Sequence, residues 1–219
     1  MNIGLQKNKR HLLVGATGSG KSYMGKALVL NAPTYPVIIL DTKIDDIFED
    51  VKNSALIDGL DLTNANWRYP IQIFRPLSNE YEPEAIDAFL QSVYLQGDCT
   101  LWIDEVTQAA GGKTIPMMGF LNIATRGRQK KITTIYGTQR PRGLPAVCLT
   151  ESEIFYIFKL TSPEDRKRIV DYTGYNDFGA LIEDRFFRFF KQGSAPILMS
   201  PLRDYPESVP EPLPKVKGV

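Results

Sequence analysis

The chain has 219 residues, and its 26 Lys and Arg against 25 Asp and Glu give a formal net charge of +1. A hydrophobic content of 43% is typical of a globular domain and excludes disordered and collagen-like chains. No run approaches the roughly 20 apolar residues of a membrane-spanning helix, and the amino terminus lacks a secretory signal, so we expect a protein that is not secreted. Cys99 and Cys148 lack metal-binding spacing, and with His11 as the only histidine a zinc site or a Ser-His-Asp triad is disfavoured.

The small net charge hides segregated blocks of charge. Residues 1–40 and 106–150 contain no Asp or Glu, whereas residues 41–61 contain seven. Such segregation can serve a polyanion locally without making the whole protein basic, although solvated loops and helix faces would explain it equally well.

Strands and helices alternate over the first 150 residues. Short apolar runs predict strands and 3.6-residue periodicity predicts helices; the strands are 10–15, 37–41, 71–75, 100–106 and 132–138, and the helices are 22–31, 82–96 and 115–129. Continuous β-branched runs are typical of buried parallel strands. The predicted fold class is therefore α/β, with a mostly parallel central sheet flanked by helices.

The character of the sequence changes after residue 150. Two aromatic strands are predicted at 153–160 and 185–192, with a helix beginning at Ser162-Pro163 between them. Seven of the 11 Phe lie between 155 and 190 and predict a packed layer of their own, with a subunit interface as the alternative. We expect one domain over 1–199, with a core of about 9–160, a C-terminal extension of about 151–199 and a Pro-rich tail at 200–219.

The most informative motif is a phosphate-binding loop. It matches G-x-x-x-x-G-K-[ST], follows a predicted strand and opens a predicted helix, which is the context that the motif requires. Lys21 would reach the β- and γ-phosphates of a nucleotide, and Ser22 would bind Mg²⁺. The predicted nucleotide-binding residues are Gly15, Ala16, Thr17, Gly18, Ser19, Gly20, Lys21, Ser22 and Tyr23.

Polar residues also follow two further predicted strands. Asp104 and Glu105 end an apolar strand, as a Walker B motif does; Asp104 would hold Mg²⁺ and Glu105 would act as general base toward the attacking water. Gln139 ends the next strand. If that strand lies between the other two, its amide would lie beside the γ-phosphate, where Gln139 would sense ATP versus ADP or orient the attacking water. Taken alone, each of these features would be ascribed to an ordinary turn.

The order of these motifs, with R-G-R before a strand that ends G-T-Q-R-P, resembles the FtsK–HerA superfamily of ATP-driven DNA pumps. The resemblance covers about 9–160, and the small size is similar to that of the genome-packaging ATPases of membrane-containing double-jelly-roll viruses. It implies a RecA-like core, a hexameric ring with double-stranded DNA in its pore, and an arginine supplied to the neighbouring subunit. Arg126 and Arg128 are the candidates for that catalytic arginine, and Arg140 competes with them.

Contacts with DNA are predicted from lysines. The loop 107–114 has two glycines and Lys113 and could face the pore, or it could be an ordinary flexible loop. Lys130 and Lys131, in the basic stretch, are further candidates.

The sequence therefore predicts an ATP- and Mg²⁺-dependent DNA translocase, most consistent with a viral genome-packaging motor. Its expected places are the host cytoplasm and the packaging vertex of the virion, where capsid or membrane vertex proteins would be partners. Three alternatives stay open: another ring ATPase of conjugation or secretion type, a small-molecule kinase, and a nucleotide-dependent scaffold of the vertex.

Overall fold

A computed structural model describes residues 4–44, 46–48, 51–112, 115–202 and 209–212. Nine strands lie in this part of the chain: β1 (Arg10–Val14), β2 (Val37–Leu40), β3 (Ser54–Asp58), β4 (Ile71–Arg75), β5 (Thr100–Ile103), β6 (Thr133–Thr138), β7 (Ile154–Phe158), β8 (Phe187–Lys191) and β9 (Ile197–Met199). Six α-helices accompany them: α1 (Lys21–Val29), α2 (Pro83–Gln96), α3 (Val106–Ala109), α4 (Met118–Arg126), α5 (Ala146–Glu151) and α6 (Pro163–Thr173).

All nine strands form one sheet in the order β3-β4-β2-β5-β6-β1-β7-β8-β9. The pairs from β3 to β7 are parallel, and only β8 and β9 add antiparallel strands at one edge. The prediction of a mostly parallel α/β sheet is confirmed. Because the parallel strands run in one direction, the residues that follow them gather at one edge of the sheet.

Each face of the sheet is covered by helices, which gives two hydrophobic layers. One layer contains residues of α2, α4, α5 and α6, and the other is built around α1 with Met24, Leu28 and Val29. Alternation along β5 decides the layer, since Leu101 and Ile103 lie in the first and Trp102 in the second. Both faces are therefore buried, which explains the continuous apolar strands of the sequence.

Some predicted boundaries are wrong. The helix predicted over 115–129 is shorter, because α4 begins after Pro116 and a 3-10 helix follows it at Gly127–Lys130. The Asp87 carboxylate of α2 accepts hydrogen bonds from the backbone N–H groups of Gly119 (2.9 Å) and Phe120 (2.8 Å), which stabilises the start of α4. The strand predicted over 100–106 ends at Ile103, since Val106 begins α3.

The aromatic residues after 150 do not form the separate layer that the sequence predicts. Strands β7, β8 and β9 extend the central sheet, and alternation along them distributes the Phe side chains over both layers. Phe155 and Phe190 pack together on one face with ring centroids 5.3 Å apart, while Phe158 and Phe187 do so on the other at 5.2 Å. These aromatics are core residues, as the main interpretation of the sequence expected.

The first residues of the Pro-rich tail return to the α1 face of the sheet. Leu202 and Val209 pack against that hydrophobic layer, and the Asn53 side-chain amide donates a 3.3 Å hydrogen bond to the carbonyl of Pro210. The described part of the tail thus contacts the domain, and the boundary near residue 200 stays a prediction. In the described ranges, no helix is both long and apolar enough to cross a membrane.

Candidate active site

Three neighbouring strands bring the predicted functional residues to one edge of the sheet. The phosphate-binding loop follows β1, Asp104 and Glu105 follow β5, and Gln139 follows β6, which lies between the other two. Adjacent strands are about 4.8 Å apart, so the three groups face a common space. The sequence analysis placed Gln139 beside the γ-phosphate only if its strand lay between the other two, and β6 does lie between β5 and β1.

The phosphate-binding loop is shaped by its glycines. Gly18 and Gly20 have φ values of 76° and 100°, in the left-handed region that disfavours other residues. A side chain at Gly15 would collide with Ser19 Oγ and with Phe158 of β7. The loop can therefore turn sharply and direct backbone N–H groups and the start of α1 at a phosphate.

Two buried polar groups in this loop lack a hydrogen-bond partner in the part of the chain that the structure describes. The hydroxyl of Ser19 and the ammonium of Lys21 have no hydrogen-bond partner among the described residues, although both side chains are buried. Lys21 Nζ lies 3.7 Å from Asp104 Oδ1. Unsatisfied buried donors are unfavourable, so a phosphate group that accepts hydrogen bonds from both would stabilise the loop.

Asp104 and Glu105 differ in burial and in partners. The Asp104 side chain is 1% exposed and faces Lys21, while the Glu105 side chain is 14% exposed. Glu105 Oε1 accepts a 2.9 Å hydrogen bond from the hydroxyl of Thr138, the last residue of β6. Glu105 Oε2 lies 2.7 Å from Lys43 Nζ, which follows β2 on the other side of β5.

Gln139 contacts the phosphate-binding loop directly. Its side-chain carbonyl Oε1 accepts a 2.9 Å hydrogen bond from the hydroxyl of Thr17. Gln139 directly follows Thr138 at the end of β6. One of these neighbours thus contacts the phosphate-binding loop, and the other donates a hydrogen bond to Glu105. This connection between the loop and Glu105 is not visible in the sequence.

The donor set suits Mg²⁺. Ser22 supplies a hydroxyl in the first turn of α1 and Asp104 a buried carboxylate at the end of β5. No cluster of three His, Cys, Asp or Glu side chains that could enclose a metal occurs among the residues the structure describes. Mg²⁺ commonly binds through one or two protein oxygens together with water and phosphate oxygens, so the pair present here fits that ion.

A cavity of about 800 Å³ extends from the phosphate-binding loop toward the C-terminal strands. It is also lined by residues that sequence analysis did not identify as functional: Phe158, Arg185, Phe187, Pro201 and Leu202. Tyr23, which was predicted, also lines it and is 50% exposed. Phe158, Phe187 and Leu202 give this part of the lining the apolar character that a nucleoside requires. Only the three-dimensional return of the chain brings it beside the loop.

The predicted arginines lie at two opposite edges of the sheet. Arg140 directly follows Gln139 and lines a smaller pocket together with Ala16 and Thr17. Arg126 and Arg128 precede β6 and are exposed. Because the six residues of β6 separate them from the site, they lie roughly 20 Å from the phosphate-binding loop of their own chain.

Two of the predicted DNA-contacting lysines are neighbours in the described structure. Lys130 and Lys131 are exposed at the same edge as Arg128, and Lys130 Nζ lies 5.5 Å from the ring centroid of Tyr94. Lys113 lies outside the described residues.

The histidine and the cysteines take no part in this site. His11 is fully buried in β1, and burial lowers the pKa of its imidazole to about 4. Burial raises the pKa of the Cys99 thiol to about 12 and raises that of Cys148 as well. These groups are therefore neutral at ordinary pH.

Comparison with known proteins finds similarity to viral packaging ATPases and to a conjugation protein. No protein-family model matches the chain. The DNA packaging ATPase P9 of Enterobacteria phage PRD1 is 28% identical over 176 residues, which cover 77% of this chain and 72% of P9. The genome packaging NTPase B204 of Sulfolobus turreted icosahedral virus 2, in complex with ATP-gammaS, is similar with a TM-score of 0.75 at 18% identity, over 90% of this chain and 98% of B204. The pCW3 conjugation coupling protein TcpA has a TM-score of 0.60 at 14% identity, over 88% of this chain and 60% of TcpA.

Proposed function

We infer that the chain shares the activity that its motifs predicted, because it is similar in sequence to a viral DNA packaging ATPase and in fold to a genome packaging NTPase. On this premise we propose that it hydrolyses ATP to translocate double-stranded DNA, as the motor that packages a viral genome. The observation that carries the proposal is the meeting of the phosphate-binding loop, Glu105 and Gln139 on three adjacent strand ends.

The proposed reaction is hydrolysis of the γ-phosphate. Lys21 and the backbone of the loop hold the β- and γ-phosphates, and Gln139 lies against the γ-phosphate. A water oxygen attacks the γ-phosphorus, and its proton passes to the carboxylate of Glu105. The bond from the γ-phosphorus to the β,γ-bridging oxygen breaks, so that ADP and phosphate are formed.

Mg²⁺ would be held by Ser22 and Asp104, and when bound it neutralises phosphate charge. The hydroxyl of Ser22 and the buried carboxylate of Asp104 are the groups on this chain that would retain it. ATP and Mg²⁺ are therefore the proposed cofactors.

A ring of identical subunits is proposed as the working form, with duplex DNA in its pore. Arg126 or Arg128 would complete the ATP site of the neighbouring subunit, because both lie far from the site of their own chain. The proposed contacts to DNA phosphates are the exposed Lys130 and Lys131, together with Lys113, which follows α3 in the sequence. The motor would act in the host cytoplasm or at the packaging vertex, beside capsid or membrane vertex proteins.

The test is steady-state ATP hydrolysis measured without nucleic acid, with duplex DNA and with single-stranded DNA. We expect turnover that duplex DNA stimulates at least about threefold, and a loss of about 100-fold or more in Glu105→Gln, which binds ATP but lacks the proton acceptor. Glu105→Gln serves as the blank for contaminating ATPases.

Two results would contradict the proposal. Phosphate transfer to a small-molecule acceptor instead of water would favour a kinase. ATP binding without DNA-dependent turnover, in rings confirmed by their mass, would favour a scaffold. Stimulation by single-stranded DNA alone would keep a motor of conjugation type and remove the duplex substrate.

A further inference from the structure

Lys43 is the one basic side chain in the described structure that contacts Glu105. It follows β2 by three residues, and its Nζ lies 2.7 Å from Glu105 Oε2 and 3.8 Å from Asp104 Oδ2. Its side chain is 28% exposed, so the ammonium reaches inward from the surface.

Simple neutralisation of buried acid does not explain this placement. Asp104 is the more buried of the two carboxylates, with a side chain 1% exposed against 14% for Glu105. A buried carboxylate is costly unless it is paired, and Asp104 is the carboxylate for which pairing matters most. Lys43 is instead more than 1 Å closer to Glu105, and Asp104 already faces Lys21 at 3.7 Å.

The two oxygens of Glu105 are held from opposite sides. Strand β2 lies on the side of β5 away from β6 and β1, so Lys43 holds Oε2 on the side away from the phosphate-binding loop. Thr138 comes from β6, on the side of the loop, and donates to Oε1. Thr138 Oγ1 itself accepts a hydrogen bond from the backbone N–H of Arg140 (3.2 Å), which fixes its direction.

We propose that Lys43 is a positioning residue that restrains the carboxylate of Glu105, so that hydrolysis is slow until the strand ends move. The inference rests on the proposed ATPase function. To accept a proton from water at the γ-phosphate, the carboxylate must turn an oxygen toward the loop. That turn breaks the contact with Lys43 or the one with Thr138.

The connection to the loop gives the restraint a means of release. Thr17 donates to Gln139, Gln139 follows Thr138, and Thr138 holds Glu105. A change at the strand end of β6, whether from the nucleotide or from DNA bound to the ring, therefore reaches Glu105 through covalently adjacent residues. Lys43 holds the carboxylate of Glu105 in the orientation that a movement at the end of β6 would have to change.

The experiment compares Lys43→Met, Lys43→Gln and Lys43→Arg, with Lys167→Met as the matched control. Lys167 is exposed on α6, and its replacement removes the same charge away from the site. We measure kcat and KM for ATP with and without duplex DNA, the affinity for a fluorescent ATP analogue, and the melting temperature.

We expect kcat without DNA to rise at least about threefold in Lys43→Met and Lys43→Gln, with KM and analogue affinity unchanged. DNA stimulation should shrink by the same factor. Lys43→Arg retains the ion pair and should behave as the wild type.

Several outcomes would overturn the inference. An unchanged or lower kcat in folded Lys43→Met and Lys43→Gln shows that the lysine does not restrain Glu105. Loss of the folded state in both variants assigns Lys43 to charge neutralisation. A wild-type protein that hydrolyses no ATP under any condition is a separate result, because it overturns the proposed function itself.

Discussion

At the scale of single residues, the proposed function assigns the nucleoside and the phosphates to different residues of the 800 Å³ cavity. Leu202 belongs to its apolar lining and packs against the α1 layer. Lys21 belongs to the lining formed by the phosphate-binding loop, and its ammonium lies 3.7 Å from Asp104 Oδ1. The two parts of the lining can therefore be tested independently.

We expect Leu202→Ala to weaken ATP binding about three- to tenfold, since it removes apolar contact area worth roughly 1 kcal/mol. Inorganic tripolyphosphate lacks the nucleoside, so the affinity of the protein for it should not change in Leu202→Ala. Titration of each ligand into both proteins by calorimetry gives the two affinities directly. Leu198→Ala, at a leucine that is 56% exposed on β9, is the control. Equal losses for ATP and tripolyphosphate would show that Leu202 supports the loop rather than the nucleoside.

At the scale of elements, the position of α1 over the sheet is set by a glycine. A side chain at Gly25 would collide with the indole ring of Trp102 in β5. Trp102 is fully buried and its ring also packs against Phe48 at a centroid distance of 4.9 Å, so it has little room to move. Since α1 carries Lys21 and Ser22, this contact fixes the distance between the phosphate-binding loop and the Walker B strand.

We expect Gly25→Ala to lower the free energy of unfolding by about 1–3 kcal/mol, because the collision outweighs the roughly 1 kcal/mol that alanine contributes to a helix. Gly127→Ala is the matched control. The added methyl group there meets only Ile132, at 3.7 Å, so stability should stay equal or rise by a few tenths of a kcal/mol. Urea denaturation monitored by circular dichroism measures both. Similar stability of the two variants would show that the Trp102 ring moves to make room for the added methyl group.

Across the whole molecule, the sequence predicted what depends on local patterns. Continuous apolar strands predicted the parallel sheet, which is confirmed. The glycines of the loop predicted the phosphate site, and the order of the motifs predicted a likeness to viral genome-packaging ATPases, which the 28% identity to P9 of phage PRD1 supports. Strand β3 was missed because it is half exposed and lacks a clear alternation, and β9 because it has only three residues.

Contacts between distant parts of the chain could not be predicted in the same way. Lys43 and Glu105 are separated by 62 positions in the sequence, and only the order β2-β5-β6 places Lys43 and Thr138 on either side of Glu105. Leu202 reaches the 800 Å³ cavity because the chain returns after β9. Such pairings depend on strand order, which short-range periodicity does not encode.

The position of the arginines makes a prediction about the ring. Arg126 and Arg128 lie roughly 20 Å from the phosphate-binding loop of their own chain, so they can serve catalysis only from a neighbouring subunit. Arg140 lies beside its own loop and would act within its own subunit. Single replacements of each by alanine should lower turnover strongly if that arginine contacts the transferring phosphoryl group.

Mixed rings distinguish these two arrangements. A Lys21→Ala subunit cannot bind ATP but retains its arginines, and an Arg128→Ala subunit binds ATP but lacks the arginine for its neighbour. In a random equal mixture half of the subunits bind ATP, and half of those receive an intact arginine, so activity should recover to about a quarter of the wild-type value. The same calculation applies to Arg126→Ala, whereas Arg140→Ala should not recover, because each ATP-binding subunit still lacks its own Arg140.

The measurement is ATP turnover against mixing ratio, with mixed rings verified by two affinity tags. Verified mixed rings without recovery for both Arg126→Ala and Arg128→Ala would show that neither arginine acts between subunits.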